Sequence, residues 1–234
     1  NRSSLILVDS ELGKDQVVES YSANSSKITP LPYVTPSYIK NSKEREDFDD
    51  HYNLPKDFLF YPAQFWEHKN HKRLIRAIKI INEDFQDLKL VLTGLEINLY
   101  KELSELVDSL KLNKKIIFKG YVPENDLSGF YKRAKALIFP TFFGPTNIPP
   151  LEAISSNCIP IVSDIYAMKE QLGNSALYFN PLEIDEIVEA IKLVLNNDSS
   201  LEEVRHNIIE RNLIDQNLKH QRELEDIINT AIKL

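Results

Sequence analysis

The sequence has 234 residues, of which 42% are hydrophobic and 27% charged, and its formal net charge is -7. This length allows one large domain or two small ones with a substantial core. The acidic balance argues against nucleic-acid binding, and no apolar run approaches the roughly 18 residues of a membrane span. No signal peptide is visible. The single cysteine, Cys158, cannot form an internal disulfide, which favours a cytoplasmic location and a buried core thiol.

The first 34 residues predict a strand, a helix and a second strand. The apolar run 5–9 is typical of a buried strand, and Ser10 is suited to cap a helix over 11–21. Residues 27–34 predict a second strand, with proline at its edges. The chain starts at Asn1 and enters this pattern at once, so we expect a fragment of a longer protein.

Residues 35–56 are polar, carry runs of charge and show no apolar period, so they predict a surface linker. Five acids lie in this segment: Glu44, Glu46, Asp47, Asp49 and Asp50. A metal site is one interpretation of them. A solvated charge run is favoured, because the acids show no spacing typical of metal ligands.

From residue 57 onward, predicted strands alternate with predicted helices. The strands are 58–63, 88–94, 115–120, 136–140, 159–164 and 176–180. The helices are 68–83, 98–112, 124–134, 149–157, 166–173 and 182–197, with further helical segments to the end. This alternation indicates βαβ units, and the continuous apolar strands indicate a sheet covered on both faces. We therefore predict an α/β fold with a doubly wound, Rossmann-like parallel sheet.

Ligands of such sheets bind beyond the carboxyl ends of the strands. After the strand 58–63, Lys69, Lys72 and Arg73 fall at a predicted helix start, where free backbone N–H groups attract anions. A phosphate site and a solvated basic turn are both consistent with this pattern. A metal ion shared by His68 and His71 is a weaker interpretation, because no third ligand is evident.

Two glycines, Gly94 and Gly120, end successive strands and indicate tight turns or an open crevice. Further along, Pro149 and Pro150 suit the entry and first position of a helix. Glu152 would then fall in the first turn, where the helix dipole favours an acid. The alternative is a carboxylate that faces the crevice and accepts hydrogen bonds from sugar hydroxyls. Neither the GxGxxG nor the P-loop pattern is present.

Several stretches resemble the donor-binding half of bacterial family 4 glycosyltransferases, which have the GT-B fold. They are FYPAQFWEHKNHKRLIRAI, LVLTG, IIFKGYVPENDLSGFYKRAKALIFPT and GPTNIPPLEAISSNCIPIVSD. The resemblance covers residues 57 to about 182, and residues 1–34 are similar to the end of the family's N-terminal, acceptor-binding domain. It implies four parts: 1–34 from that domain, a linker at 35–56, a donor-binding domain at 57–216 and a C-terminal helix at 217–234.

The resemblance implies retaining transfer of a sugar from a nucleotide-diphosphate sugar without a metal or other cofactor. The nucleotide would be UDP, GDP or ADP, and the acceptor a glycan, lipid or protein. Most of the acceptor-binding domain is absent from the chain, so we expect the chain alone to bind the donor and to transfer little sugar. The absent domain also allows peripheral membrane association.

The resemblance also implies a set of site residues. Lys69 matches the lysine that binds the diphosphate, and Glu152 matches the glutamate that holds the ribose hydroxyls; these two are the predicted catalytic residues. The remaining donor-binding residues are Gln64, Gly94, Tyr121, Val122, Thr146, Asn147 and Ile148, of which Tyr121 and Val122 match the nucleobase turn.

Two positions depart from the family pattern. Gly144 stands where the family has a first glutamate, and Gln64 replaces the usual arginine, which removes one charge that would face a phosphate. Thr146 and Asn147 could provide polar contacts in place of the glutamate. The departures leave one alternative open, a non-catalytic nucleotide-sugar binding subunit. A second alternative, from the shared fold alone, is a nucleotide-sugar epimerase, although the histidines and acids usual at the cleft of such enzymes are not matched here.

Overall fold

The computed structural model of the protein describes residues 3–144, 146–214 and 216–232. The predicted domains also include residues 1, 2, 145, 215, 233 and 234, which lie outside the described residues. The strands are β1 (Ile6–Val8), β2 (Ile28–Pro30), β3 (Phe58–Pro62), β4 (Lys89–Thr93), β5 (Ile116–Phe118), β6 (Ala136–Phe139), β7 (Pro160–Ser163) and β8 (Leu177–Phe179). The helices are α1 (Glu11–Tyr21), α2 (Ser37–Lys40), α3 (Phe48–Tyr52), α4 (His71–Asp84), α5 (Tyr100–Ser109), α6 (Glu124–Arg133), α7 (Ile148–Ser155), α8 (Met168–Leu172), α9 (Ile184–Leu195), α10 (Leu201–Leu213) and α11 (Gln216–Ile232).

The main sheet has six parallel strands in the order β5-β4-β3-β6-β7-β8, and β1 and β2 form a separate two-stranded parallel sheet. Helices cover the main sheet on both faces: α4 packs against α5 and α9, and α6 packs against α7 and α2. The predicted doubly wound sheet is confirmed. Chain order reverses direction between β3 and β6, so the carboxyl ends of these two strands border the crevice where such folds bind ligands.

The core lies between the sheet and its two helix layers. The four strands β3, β4, β6 and β7 are almost entirely buried, because their branched and aromatic side chains point alternately to two covered faces. Cys158 is buried, as predicted for a core thiol. At the other end of the chain, the side chain of Ser10 caps α1 and accepts a hydrogen bond from Gly13 N at 3.0 Å, as predicted.

The segment predicted as a surface linker packs on the main domain. Phe48 of α3 is buried and lies edge-on to Phe130 of α6, with 5.5 Å between ring centroids. Gly129 makes room for this ring, since a Cβ atom there would lie 2.4 Å from Phe48. The sequence did not reveal this packing because the buried residues Ile39, Phe48 and Tyr52 are too sparse to show a period.

The acidic run in this segment forms ion pairs. Arg133 of α6 contacts Glu44 and Asp49, each at 2.5 Å, and Asp47 pairs with Arg45 at 2.6 Å. These contacts fit a solvated charge run that holds the segment to α6.

Of the helices in the described residues, none combines the length and apolar character needed to cross a bilayer.

Candidate nucleotide-sugar site

The loops that follow β3 and β6 are joined by hydrogen bonds. The Phe142 N–H donates to the carbonyl of His68 at 2.7 Å, and the Thr141 hydroxyl donates to the same carbonyl at 3.1 Å. Thr141 is fully buried. The two loops therefore form one fixed wall at the switch point of the sheet.

Lys69 lies in this wall without an acidic partner. It ends a short 3-10 turn, Glu67–Lys69, so α4 begins at His71 and not at residue 68 as predicted. Its backbone carbonyl accepts a hydrogen bond from the Tyr61 hydroxyl at 2.8 Å, and its Nζ atom lies 5.3 Å from the centre of the Phe139 ring. Burial lowers the pKa of the Lys69 ammonium. None of the ion pairs formed by the described residues includes it, so the group can accept an external anion.

The other basic residues of this region are engaged elsewhere. Lys72 pairs with Glu67 at 3.3 Å and with Glu102 at 3.1 Å. The Arg73 guanidinium lies 5.2 Å from the centre of the Phe142 ring. The predicted joint cluster of three cations is therefore divided: Lys72 is paired with acids, whereas Lys69 and Arg73 contact aromatic rings and take part in none of the ion pairs of the described residues.

The two histidines contribute in different ways. His71 is buried between the rings of Tyr61 and Phe65, and burial, followed by the charge of Lys69, lowers its pKa to about 3. It is thus a neutral core side chain. His68 lies nearer the surface, and burial also lowers its pKa. The described residues contain no group of three or more side chains suited to hold a metal ion.

Glu152 is the fifth residue of α7, so it lies in the second turn of the helix and the helix-start interpretation was wrong. The side chain is only 3% exposed. The Tyr38 hydroxyl donates to Oε1, and the Tyr131 hydroxyl donates to Oε2 at 2.7 Å. Burial raises the pKa of the Glu152 carboxyl, and the two tyrosine hydrogen bonds oppose that rise. These partners come from α2 and α6 and were not predicted.

The prolines occupy the second and third positions of α7, two positions later than predicted. Since proline has no N–H, Ile148 provides the only backbone donor among the first three residues of the helix. The preceding Asn147 N–H already donates to Gln171 Oε1 at 3.0 Å. This helix start therefore offers one free amide to an anion, fewer than an ordinary helix start.

The side chains of Thr146 and Asn147 are used within the protein. The Asn147 amide donates to the Gly144 carbonyl at 3.2 Å. The Thr146 hydroxyl donates to Oδ2 of Asp9, which directly follows β1. Their expected role in place of the absent glutamate would require these bonds to open. Asp9 was missed because only the fold brings it to this turn, 137 residues away in sequence.

Gln64 and Gly94 connect neighbouring loops. Gln64 Oε1 accepts a hydrogen bond from Leu95 N at 3.2 Å. A Cβ atom on Gly94 would lie 2.7 Å from the carbonyl oxygen of Ala63, so this glycine permits a close approach of two backbones. The Gly94 N–H donates to Gly120 O at 2.9 Å, which supports the tight-turn interpretation.

The predicted nucleobase turn lies at the end of β5. Gly120 has a φ of 65°, Tyr121 is exposed and Val122 is buried. The turn thus leaves one aromatic side chain open to solvent next to a fixed backbone. This arrangement is suited to stacking against a planar base.

Gly144 adopts a backbone conformation that residues with a side chain rarely adopt, with a φ of 117°. We expect Gly144→Ala to lower the free energy of unfolding by about 2 kcal/mol, because a side chain is strained there. Gly120→Ala is the matched control and should cost about 1 kcal/mol, since its φ lies near the left-handed helical well. Urea unfolding followed by circular dichroism measures both values. Equal costs would contradict the strain argument.

Comparison with known proteins gives a consistent family assignment. The family model described as "Glycosyl transferases group 1" matches residues 42–213. The O-antigen chain mannosyltransferase RfbU of Salmonella typhimurium is 33% identical over 187 residues, which cover 80% of this chain and 50% of that protein. The serotype-specific mannosyltransferase WbdA of Escherichia coli is 24% identical over 199 residues, covering 83% of this chain and 23% of that protein.

The fold has close matches among solved structures. Sucrose-phosphate synthase from Thermosynechococcus elongatus superposes with a TM-score of 0.81 at 16% identity, covering 98% of this chain and 58% of that one. The chain spans half the length of RfbU and a smaller share of WbdA. The family match and the 33% identity together show that the chain belongs to the glycosyl transferases group 1 family.

Proposed function

We propose that the chain forms the donor-binding half of a retaining, metal-independent glycosyltransferase that uses a nucleotide-diphosphate sugar. The observation that carries this proposal is the uncompensated Lys69 ammonium at the switch point of the sheet. The names of the related O-antigen and serotype-specific enzymes support a mannosyl group as the transferred sugar and a glycan as its acceptor.

The chemistry requires a cation near the leaving group. As the glycosidic bond of the donor breaks, negative charge develops on the departing diphosphate, and a preorganised donor stabilises it. Lys69 is held in place by its backbone bond to Tyr61 and has no acid to release before it binds. A bound diphosphate would raise the lowered pKa of this lysine and keep it charged.

The nucleoside would lie over the neighbouring strand ends. In this arrangement, the Tyr121 turn faces the base, Glu152 accepts the ribose hydroxyls, and the Ile148 amide contacts the diphosphate.

Residues 57–216 would be the donor-binding domain, with 35–56 packed on it and 1–34 belonging to the end of the acceptor domain. The residues from 217 onward would form the C-terminal helix. We place the reaction in the cytoplasm, because the buried, unpaired Cys158 suits a reducing compartment.

A thermal-shift and calorimetry series tests this proposal. We expect UDP, GDP or ADP to raise the melting temperature, with a stabilisation of about 2.7 kcal/mol at a concentration of one hundred times Kd. The matching monophosphate should bind at least about tenfold more weakly, because it lacks the group that Lys69 contacts. Sulfate at equal ionic strength is the control. Equal affinity for monophosphate and diphosphate would contradict the diphosphate site.

A nucleotide-sugar binding subunit without transferase activity is the second candidate. It is favoured by the contacts of Thr146 and Asn147, which are turned inward to Asp9 and Gly144. The two candidates differ in turnover. A protein that also contains the acceptor-binding half and releases nucleotide only when an acceptor is added would support the transferase. Tight donor binding with no release would support the subunit.

A further inference from the structure

Four aromatic side chains lie in a row along the mouth of the crevice. Trp66 and His68 follow β3, Phe143 follows β6, and Tyr166 follows β7. Their ring centroids are separated by 5.4 Å from Trp66 to His68, 6.0 Å from His68 to Phe143 and 6.2 Å from Phe143 to Tyr166. We call this row the aromatic strip.

The aromatic strip is unusually open to solvent. Trp66 is 46% exposed, Phe143 60% and Tyr166 49%. Large rings contribute most to stability when they are buried, and single exposed apolar residues are common but contiguous groups mark binding surfaces. The contiguity of these rings therefore indicates a ligand.

The aromatic strip is also held in position. The single hydroxyl proton of buried Thr141 lies between two backbone carbonyl acceptors, with Oγ1 3.1 Å from His68 O and 2.9 Å from Phe143 O, so one side chain links the backbones of two members of the strip. Tyr166 has a φ of 45°, a conformation that costs energy for a tyrosine and is often retained at binding sites. A prearranged surface loses little entropy on binding.

We propose that the aromatic strip is the contact that the donor-binding half makes with the acceptor carbohydrate, opposite the acceptor-binding half, an inference that rests on the proposed function. A pyranose ring has a face of C–H bonds that packs on the electron-rich face of an aromatic ring. Its hydroxyl groups can reach the His68 imidazole and the Tyr166 phenol. Adjacent rings are inclined by 43° to 80°, so they offer separate faces to successive sugar units.

The position of the aromatic strip supports a sugar acceptor over other occupants. His68 is the residue before Lys69, and Phe143 is the residue before Gly144, so a ligand on the strip would lie beside the proposed donor site. An acyl chain or a flat protein surface needs a continuous apolar area. Here the inclined rings and the polar His68 and Tyr166 interrupt such an area.

Trp66 gives a direct measurement, because it is the only tryptophan of the chain. We expect its fluorescence to change saturably on titration with at least one of mannotriose, cellotriose and chitotriose. Phe143→Ala should weaken that binding about tenfold, a typical loss for one stacking contact. Tyr21→Ala, which removes a 79% exposed aromatic side chain from α1, is the matched control and should leave it unchanged.

Nucleoside diphosphate binding, measured by calorimetry on the same samples, separates the two proposals. If diphosphates bind and no trisaccharide does, or if Phe143→Ala binds as tightly as the wild type, the strip proposal is overturned and the donor site stands. If neither ligand binds, both are overturned. A Trp66 response to sodium decanoate and not to the sugars would overturn the carbohydrate assignment in favour of a lipid.

Discussion

Lys69→Ala is expected to weaken nucleoside diphosphate binding by about thirtyfold or more, since a charged hydrogen bond in a partly buried site contributes about 2 kcal/mol or more. Lys72→Ala is the matched control. Lys72 lies three residues further on, in the first turn of α4, but is paired with Glu67 and Glu102, so its loss should change affinity by less than about twofold. Isothermal calorimetry on both variants measures the difference.

The pH dependence provides an independent readout. The pKa of Lys69 is lowered from 10.5 by burial, and only the protonated ammonium attracts a diphosphate. Affinity should therefore decline with rising pH before an ordinary lysine would titrate, and this decline should be absent in Lys69→Ala. If both lysine variants lose affinity equally, the charge acts through the general field of the loop and the specific contact is refuted.

Glu152→Gln is expected to make the protein more stable at neutral pH and to weaken its binding of ribonucleotides. The folded-state pKa of Glu152 is raised above 4.5, chiefly by burial. Its contribution to stability is therefore present below pH 4.5 and lost as the pH rises through the folded-state pKa. Glutamine cannot ionise and keeps hydrogen bonds to both tyrosines. The difference in unfolding free energy between Glu152→Gln and the wild type should therefore grow with pH. Urea unfolding at several pH values measures this difference.

The effect on binding separates a ribose contact from a purely structural role. If Glu152 accepts the ribose hydroxyls, the wild type should prefer a ribonucleotide over its 2′,3′-dideoxy analogue by about tenfold, and Glu152→Gln should lose most of this preference. Glu202→Gln, which alters an exposed acid in the first turn of α10, serves as the control. Unchanged discrimination in Glu152→Gln would make the residue a connector of α2, α6 and α7 only.

The regular elements could be predicted because their signals are local. Each strand of the main sheet lies within its predicted range, and α1 matches its prediction at both ends. Apolar runs, alternation with helices and the Ser10 cap depend on neighbours along the chain. The reversal between β3 and β6 then follows from the fold class, so the location of the site could also be predicted.

The chemical state of the site could not be predicted, because it depends on contacts between distant residues. Tyr38 and Tyr131 reach Glu152 from 114 and 21 residues away. Lys69 and Lys72 look equivalent in sequence, and only the positions of Glu67 and Glu102 distinguish them. The resemblance identified the absent glutamate at Gly144, while its φ of 117° shows that this backbone does not accommodate one.

The prolines of α7 have a consequence for how the site could be controlled. Backbone amides have a fixed partial charge that neither pH nor chemical modification removes. Because Pro149 and Pro150 take two such donors away, the proposed diphosphate site would depend on side-chain charge, that of Lys69 above all. Acetylation, alkaline titration or added salt can each neutralise or screen that one charge, so donor affinity is adjustable by the surroundings to a degree that an amide-lined anion site does not permit.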